Sequence, residues 1–163
     1  MIPKIIHLCW LSGDPYPAKI AKCLDTWKKH LPDYEVMLWD TNRFDLNSSI
    51  WVRQAFEKKK YAFAADYIRF YALYHYGGIY LDSDVEVLKS FDDLLDLPYF
   101  MGAEKAHTPE AAIIGAEKVC LLIEDHELRK TMGQAGVLSA QRYDASRVMP
   151  MWKELFEHLA LQV

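Results

Sequence analysis

The sequence predicts an α/β domain, because short apolar runs alternate along the chain with amphipathic helical patterns. Lys4 to Trp10 and Tyr34 to Trp39 have the apolar, β-branched and aromatic composition of strands. Ala18 to His30, which lies between them, carries apolar residues at helical spacing. A strand–helix–strand order implies parallel strands joined by a right-handed connection. We therefore expect a sheet with flanking helices, in which Lys4 to Trp10 is the first and central strand.

The elements after the second strand are shorter and are separated by polar turns. Asp40 to Ser49 is predicted to be a polar loop, and Ser49 can cap a short helix from Ile50 to Lys59. Lys58 to Lys60 is interpreted as the solvated end of that helix. Three more short elements are predicted: a strand at Val85 to Leu88, a helix at Phe91 to Leu95 and a strand at Tyr99 to Glu104.

The chain is organised around a helix, a pair of glycines, a buried strand and two carboxylates. These are, in order, Ala62 to Tyr76, Gly77 and Gly78, Ile79 to Leu81, and Asp82 and Asp84. The glycines end the helix, because glycine adopts the left-handed conformation that such a turn needs. Aromatic residues recur along this helix at helical spacing: Phe63, Tyr67, Phe70 and Tyr74. Four tyrosines are predicted to be packing residues: Tyr67, Tyr71, Tyr74 and Tyr76.

Chain geometry predicts that charged side chains meet where this buried strand ends. Asp66 lies roughly 16 Å before Gly77 along the helix, and Asp82 lies roughly 16 Å after it along the strand. If strand and helix pack together, Asp66 and Asp82 reach the same level, with Arg69 one turn away. Asp84 points the same way as Asp82 if the backbone remains extended. Such a cluster at the end of a sheet strand suggests a metal ion and a phosphorylated, hydroxyl-rich ligand.

Two segments carry a family resemblance. AADYIRFYALYHYGGIYLDSDVEV resembles the Asp-x-Asp segment of glycosyltransferase family 32, which is also similar to the glucosylating bacterial toxins. The opening IPKIIHLCW resembles the first strand of that family. Together they cover roughly the first two-thirds of the chain. The resemblance implies a GT-A-like fold that binds a nucleotide-sugar, in a transferase of surface or capsular polysaccharide biosynthesis.

The resemblance also implies roles for the charged cluster. Asp84 would bind Mn²⁺ or Mg²⁺ directly, and Asp82 would contact ribose or sugar hydroxyls and hold the metal through water. Asp66 would hydrogen-bond the donor sugar, and Arg69 would contact the sugar or the diphosphate. The donor would be a UDP- or GDP-sugar, and the acceptor a saccharide or a lipid-linked saccharide. Retention of the anomeric configuration is implied, and we expect front-side displacement because no opposing nucleophile is evident.

His7 and Trp10 are further candidates for contact with the nucleotide. Both belong to the opening segment that resembles the first strand of the family. A tryptophan at the end of a strand can stack on a base or can belong to the core, and the sequence favours neither. Both residues therefore enter the set of predicted binding residues.

The C-terminal part departs from the family pattern. Glu110 to Gly115 stands where the family usually has an Asn-Ala-Ile-Ile-Gly-like segment on the acceptor side, so the amide is missing. Residues 121–160 resemble the last helices of GT-B glycosyltransferases of family 4, and the family's own C-terminal region, which often supplies a second metal ligand, is absent or replaced. We expect a nucleotide-sugar-binding domain at residues 1–117 and a helical extension at residues 118–163 packed on it.

Composition argues against several other classes of protein. The net charge of −4 disfavours nucleic-acid binding. No apolar run reaches the length of a membrane span, and Pro3 and Lys4 interrupt any early apolar run, so we expect no signal peptide. Three scattered cysteines suggest a reducing compartment and no zinc site. We expect a cytoplasmic protein that can associate with the inner face of a membrane.

Two other functions remain open at this point. IYLDSDVEV also fits a haloacid-dehalogenase-like phosphatase, with Asp82 as the nucleophile, although Asp66 and Arg69 would then have no role. The chain can also be a sugar-nucleotide-binding remnant that is catalytically weak or inactive. An aspartyl-phosphate on Asp82 would identify the phosphatase, and donor binding without transfer would identify the remnant.

Overall fold

The computed structural model describes residues 1–105 and 108–117. Five strands lie in these ranges: β1 (Ile5–Cys9), β2 (Glu35–Trp39), β3 (Gly78–Leu81), β4 (Tyr99–Lys105) and β5 (Thr108–Ala116). The α-helices there are α1 (Ala18–His30), α2 (Ile50–Glu57) and α3 (Tyr61–Tyr76). Short 3₁₀ turns lie at Leu46–Ser48 and, inside the predicted Phe91–Leu95 helix, at Asp92–Leu94. The predicted helical extension at residues 118–163 falls outside the described residues.

The strands form one mixed sheet in the order β2-β1-β3-β5-β4. β1 runs parallel to β2 and to β3, whereas β5 runs antiparallel to β3 and to β4. The predicted parallel pairing of the first two strands is therefore confirmed. The prediction that β1 is the central strand is wrong, because β5 and β4 extend the sheet beyond β3. β3 lies at the centre, and all four of its residues are buried.

Apolar side chains cover both faces of the sheet, because successive side chains of a strand point to opposite faces. Ile6 of β1 belongs to a buried cluster with Trp27 of α1. Cys9 of the same strand packs against a second cluster, which contains Trp39 of β2 and Ile68 of α3. The sheet is thus flanked by helices on its two faces, as the sequence predicts.

The first two helices follow the sequence closely. Helix α1 has the predicted bounds and buries Cys23 and Trp27. The Ser49 side chain caps α2 by accepting a hydrogen bond from the backbone N–H of Val52. Helix α2 ends at Glu57, two residues before the predicted end, and the backbone reaches a positive φ of 54° at Lys59. None of the helices in the described part of the chain is long and apolar enough to cross a membrane.

Helix α3 buries alanine, aliphatic and arginine side chains and leaves most of its aromatic side chains exposed. Its buried positions are Ala64, Ile68, Arg69, Ala72 and Leu73. Four aromatic residues at helical spacing, here called the aromatic stripe, are each between 38% and 52% exposed: Phe63, Tyr67, Phe70 and Tyr74. The large rings of Trp39 and Phe44 occupy the cluster beneath the helix, so alanines fit there at normal packing density. The prediction that the tyrosines are packing residues is confirmed for Tyr71, which packs against this cluster, and is wrong for Tyr67 and Tyr74, which are exposed.

No strand forms at Val85 to Leu88, contrary to the prediction. The backbone groups of this segment are instead hydrogen-bonded to side chains of α1. Trp27 Nε1 donates to the carbonyl oxygen of Val85 at 2.7 Å, and the N–H of Val87 donates to Thr26 Oγ1 at 2.9 Å. Buried backbone groups need partners, and here α1 supplies them in place of a neighbouring strand. The segment therefore fixes the chain directly after the two carboxylates.

Candidate active site

A cavity of about 340 Å³ opens at the carboxyl ends of β1 and β3. Parallel strands end at the same edge of a sheet, which is where open α/β sheets bind ligands. The lining residues come mainly from the end of β1 and the segment after it, from α3, and from the end of β3 and the turn after it: Cys9, Trp10, Leu11, Ser12, Ile20, Tyr61, Ala62, Ala65, Arg69, Tyr80, Asp82, Ser83 and Asp84. The cavity therefore collects polar and aromatic groups from segments that are distant in sequence.

Asp82 follows β3 and is held by two neighbours. Its Oδ1 accepts a 2.8 Å hydrogen bond from the Tyr80 hydroxyl, and Arg69 Nη2 lies 3.4 Å away. Burial raises the pKa of the Asp82 carboxyl, whereas the Tyr80 hydrogen bond and the charge of Arg69 lower it, and Asp84 and Asp66 raise it further. A carboxylate in this position gains from any added cation or hydroxyl donor, because either stabilises its charged form.

Arg69 connects the helix to the sheet. Nη2 lies 2.8 Å from Asp66 Oδ1 as well as 3.4 Å from Asp82 Oδ1, and the guanidinium carbon is 4.7 Å from the centre of the Tyr80 ring. Nη1 donates a 2.7 Å hydrogen bond to the carbonyl oxygen of Ala111. Asp66, Arg69 and Asp82 therefore meet as predicted. Arg69 is only 7% exposed and uses these contacts within the domain, so its predicted contact with sugar or diphosphate stays a prediction.

Asp84 and Asp66 occupy different positions relative to the cavity. Asp84 lines it, although the backbone is not extended between the two carboxylates: the N–H of Val85 donates to the carbonyl oxygen of Asp82 at 3.0 Å and closes a turn. The prediction of an extended backbone there is wrong, yet Asp82 and Asp84 still line the same cavity. Asp66 is 56% exposed and is absent from the cavity lining, so its predicted contact with the sugar stays a prediction.

His7 lies in the core and not in the cavity wall. It is fully buried, and Trp39 Nε1 donates to its Nδ1 at 3.1 Å. Nδ1 is therefore the acceptor, and the N–H on Nε2 donates to the carbonyl oxygen of Gly77 at 2.6 Å. Burial lowers the pKa of His7, which keeps the ring neutral. This geometry assigns His7 to positioning the turn between α3 and β3, in place of the predicted contact with the nucleotide.

Trp10 does line the cavity. Its Nε1 donates a 2.8 Å hydrogen bond to the carbonyl oxygen of Asp14, and its ring lies 4.9 Å from that of Tyr16. These two contacts fix the indole while part of it remains exposed. The sequence leaves open whether Trp10 stacks on a base or belongs to the core. Its position in the cavity wall favours contact with a ligand.

Several cavity residues are absent from the set predicted from the sequence, and Tyr80 is the most informative. It lies two residues before Asp82 in an extended strand, so both side chains point to the same side. The two-residue spacing between Tyr80 and Asp82 could therefore have identified Tyr80 as a site residue from the sequence. Cys9 also lines the cavity, but burial raises the pKa of its thiol to about 12, so it is not a nucleophile at neutral pH.

The acidic residues fit a divalent cation only together with a ligand. In residues 1–105 and 108–117, no group of three acidic, histidine or cysteine side chains is placed to hold a metal ion. Asp82 and Asp84 nevertheless line one cavity and offer oxygen atoms, which Mg²⁺ and Mn²⁺ prefer. Cations that accompany nucleotides are commonly held by one or two carboxylates, with phosphates and water completing the coordination. The site fits that arrangement.

Comparison with known families identifies the chain. Residues 17–101, more than half of the sequence, match the family described as "glycosyltransferase sugar-binding region containing DXD motif". The chain belongs to this family. Asp82-Ser83-Asp84 is the one Asp-x-Asp sequence in the matched segment, so the resemblance noted from the sequence is confirmed. Family membership overturns the phosphatase alternative.

Relatives in the family are named glycosyltransferases. The chain is 36% identical over 108 residues to a mannosyl phosphorylinositol ceramide synthase of Saccharomyces cerevisiae, which covers 62% of this chain and 27% of the relative. It is 36% identical over 105 residues to inositol phosphoceramide mannosyltransferase 3 of Schizosaccharomyces pombe, covering 60% and 28%. An uncharacterised glycosyltransferase of Acanthamoeba polyphaga mimivirus is 33% identical over 111 residues, covering 64% and 44%. The chain thus spans less than half the length of these relatives.

A solved structure supports the fold. The chain resembles the PaToxG glycosyltransferase with a TM-score of 0.57 and 19% sequence identity, covering 94% of this chain and 76% of the other. At this level of identity the similarity concerns the fold alone. It confirms the predicted α/β architecture of a GT-A-like glycosyltransferase, with a mixed sheet and flanking helices.

Proposed function

We propose that this chain provides the donor site of a glycosyltransferase, which moves a hexose from a nucleoside diphosphate to a hydroxyl group of an acceptor. One observation carries the proposal: Asp82 and Asp84 line a single cavity at the strand ends, and Trp10 lies in the same wall. Carboxylates suit sugar hydroxyls and a hard cation, whereas an indole suits a nucleobase. The cavity thus offers partners for both ends of a nucleotide-sugar.

Asp82 is the residue best placed to orient the sugar. Tyr80 and Arg69 both approach its Oδ1, so Oδ2 is left to accept a hydrogen bond from a ribose or sugar hydroxyl. The hydrogen bonds also restrain the carboxylate, so little rotational freedom is lost when a ligand binds. Asp66, held by Arg69 at the edge of this cluster, is the second candidate for a sugar hydroxyl. Holding the sugar in register is the contribution of these residues to catalysis.

Asp84 is the residue that would bind Mn²⁺ or Mg²⁺ directly, and Asp82 would hold the ion through water. When bound, the cation supplies a Lewis acid that stabilises negative charge on the leaving diphosphate. The chain holds Asp84 in place through its backbone. Cys23 Sγ donates to the carbonyl oxygen of Asp84 at 3.3 Å, and the neighbouring Val85 N–H closes the turn onto Asp82.

The proposed transfer step breaks one bond, forms another and moves one proton. The bond between the anomeric carbon and the diphosphate oxygen breaks, and the acceptor oxygen forms the new bond to that carbon. Asp82 and Asp84 are the acids among the described residues that line the cavity, and both are assigned to the donor. In the proposed step the acceptor proton passes to the leaving diphosphate, as in front-side displacement with the retention that the family resemblance implies.

The substrates are proposed from the family. Relatives named for mannosyl transfer to inositol phosphoceramide favour a hexose donor such as a GDP- or UDP-sugar and a lipid-linked, hydroxyl-rich acceptor. A saccharide acceptor in surface polysaccharide assembly uses the same donor chemistry. Both acceptors present a hydroxyl group to the same cavity, so the donor site is common to them.

Release of nucleoside diphosphate tests the proposal. The chain is incubated with UDP- and GDP-hexoses, with and without Mn²⁺, and free UDP or GDP is quantified. We expect release from one donor class that requires Mn²⁺ and is lost in Asp82→Asn. Donor binding is measured separately, as an increase in melting temperature. Binding without release of UDP or GDP would identify a binding remnant and contradict the transfer step. Failure of every donor to bind would contradict the whole proposal.

A further inference from the structure

Helix α2 and the start of α3 enclose a second cavity, which the donor site does not use. It measures about 180 Å³ and is lined by Trp51, Gln54, Ala55, Lys58, Lys60 and Phe63. Two aromatic residues and two lysines therefore line one space. The two cavities share the first turn of α3, because Tyr61 and Ala62 line the donor cavity whereas Lys60 and Phe63 line this one.

The aromatic wall of this cavity is held rigidly in an exposed position. Trp51 is 57% exposed, yet its Nε1 donates a 3.0 Å hydrogen bond to the carbonyl oxygen of Phe63, and the two rings meet edge to face at 6.4 Å. The polar group of the indole is thus satisfied internally, and its apolar surface faces outward. Phe63 is also the first residue of the aromatic stripe, which continues this apolar surface along α3. Exposed apolar patches of this kind mark interaction surfaces.

Positive charge is concentrated beside these rings. Arg53, Lys58, Lys59 and Lys60 are all exposed, and Glu57 is the one acidic residue between Ile50 and Phe63. Among the described side chains, those of residues 1–103 and 110–117, no carboxylate lies within ion-pair distance of any of the four cations. The whole chain carries a net charge of −4, so this local excess is not a general property of its surface.

We propose that this surface docks the chain onto a membrane that carries anionic lipid headgroups. Tryptophan, tyrosine and phenylalanine enter the interfacial layer of a bilayer, and adjacent lysines contact lipid phosphates. The surface of such a bilayer has an outer layer of anionic headgroups and an apolar layer of acyl chains directly under it. Lysines can contact the headgroups while the neighbouring aromatic rings enter the apolar layer. The purpose of the docking rests on the proposed function, because docking at this surface brings the headgroup of a lipid-linked acceptor next to the donor cavity.

Vesicle sedimentation tests the docking surface. The full chain is mixed with vesicles of phosphatidylcholine alone, or of phosphatidylcholine and phosphatidylserine in equal amounts, without donor or metal. We expect sedimentation with the anionic vesicles only, and weakening as salt is raised. The double variant Lys58→Gln/Lys60→Gln is expected to lower the partition coefficient roughly tenfold or more. Lys22→Gln/Lys29→Gln, which removes two exposed lysines of α1, is the matched control and should bind like wild type.

The aromatic contribution has its own variant, since Trp51→Ser removes the exposed indole. It should weaken vesicle binding even at low salt, and circular dichroism confirms that each variant is folded. Equal binding by Lys58→Gln/Lys60→Gln and wild type would overturn the inference, as would binding to neutral vesicles alone. Dimers that disappear in Trp51→Ser, without vesicle binding, would reassign the surface to self-association and also overturn it. Because no donor is present, these results are independent of the donor site.

Discussion

Arg69 of helix α3 donates a 2.7 Å hydrogen bond from Nη1 to the main-chain carbonyl oxygen of Ala111 in strand β5. The bond ties the helix to the strand that lies next to β3 in the sheet. The other terminal nitrogen of the same guanidinium reaches Asp66 and Asp82. One buried cation therefore sets the positions of two carboxylates relative to the sheet, and the shape of the donor cavity depends on it.

Replacing Arg69 should cost both stability and donor binding. Arg69→Met removes the charge but keeps much of the side-chain volume. It leaves the Ala111 carbonyl without its donor and Asp82 with the Tyr80 hydrogen bond but no neighbouring cation. We expect the free energy of unfolding to fall by about 2–4 kcal/mol, measured by urea denaturation. Arg53→Met, at an exposed position of α2, is the control and should change it by less than about 0.5 kcal/mol. Equal losses in the two variants would contradict the linking role.

His7 should make stability depend on pH. Burial lowers its pKa below the ordinary 6.5, so the unfolded chain takes up a proton below about pH 6.5 while the folded chain does not. The unfolded state then binds more protons, and stability falls as the pH decreases from 6.5 towards the lowered pKa, by at most about 1.4 kcal/mol per pH unit. Above pH 6.5 the ring is neutral in both states and this contribution is constant.

The variant His7→Gln isolates this effect from the other histidines. It should be less stable than wild type by about 1–3 kcal/mol near neutral pH, because Trp39 and Gly77 lose their partner. The difference should narrow as the pH is lowered, since the variant lacks the titrating ring. Urea denaturation at a series of pH values measures it, and a difference that stays constant through the acidic range would contradict the assignment.

The glycine pair between α3 and β3 should tolerate no side chain. Gly78 has a φ of +97°, and a Cβ there would lie 2.6 Å from the carbonyl oxygen of Ile5, so Gly78→Ala combines strain with a backbone clash. We expect a loss of more than about 2 kcal/mol in the free energy of unfolding. Gly13 has a φ of +72° with open space around it, and Gly13→Ala should cost only about 1 kcal/mol. Equal costs would show that the close approach to β1 is unimportant.

Trp10 should contribute to nucleotide affinity. Trp10→Ala removes the ring from the cavity wall, and loss of base stacking is expected to cost about 1–3 kcal/mol, or roughly 5- to 150-fold in affinity. Isothermal titration with the preferred nucleoside diphosphate measures this. Trp51→Phe, which alters an exposed indole outside the donor cavity, is the control and should leave nucleotide affinity unchanged. Unchanged affinity in Trp10→Ala would place Trp10 in a structural role.

The sequence predicted the parts of the fold that local pattern determines. Helix α1 has helical spacing throughout, and the glycine pair marks the end of α3 without ambiguity. The meeting of Asp66, Arg69 and Asp82 followed from two rise-per-residue values, because one tight turn joins a straight helix to a straight strand. A site built around a single turn is therefore accessible from sequence.

Tertiary contacts determined the parts that the sequence did not reveal. Strand β5 contains Pro109 and Glu110, which are poor strand formers, yet both are paired with β4, opposite Ala103 and Gly102. The segment from Val85 to Leu88 looks like a strand, but side chains of α1 take its hydrogen bonds. Tertiary contacts also decide that the aromatic stripe is exposed. Helical spacing shows that one face of α3 is apolar, but it does not show which face meets the sheet.

The most direct test of the donor site is the Mn²⁺-dependent part of its thermal stabilisation by a nucleotide-sugar. Wild type with Mn²⁺ and a saturating UDP- or GDP-sugar should melt roughly 5–10 °C higher than without them. Glu86→Gln removes an exposed acid two residues beyond Asp84 and should keep the full shift. Asp84→Asn should lose the Mn²⁺-dependent part of the shift while its melting temperature without ligand stays close to wild type. An undiminished Mn²⁺-dependent shift in Asp84→Asn would contradict the assignment of this carboxylate to the metal.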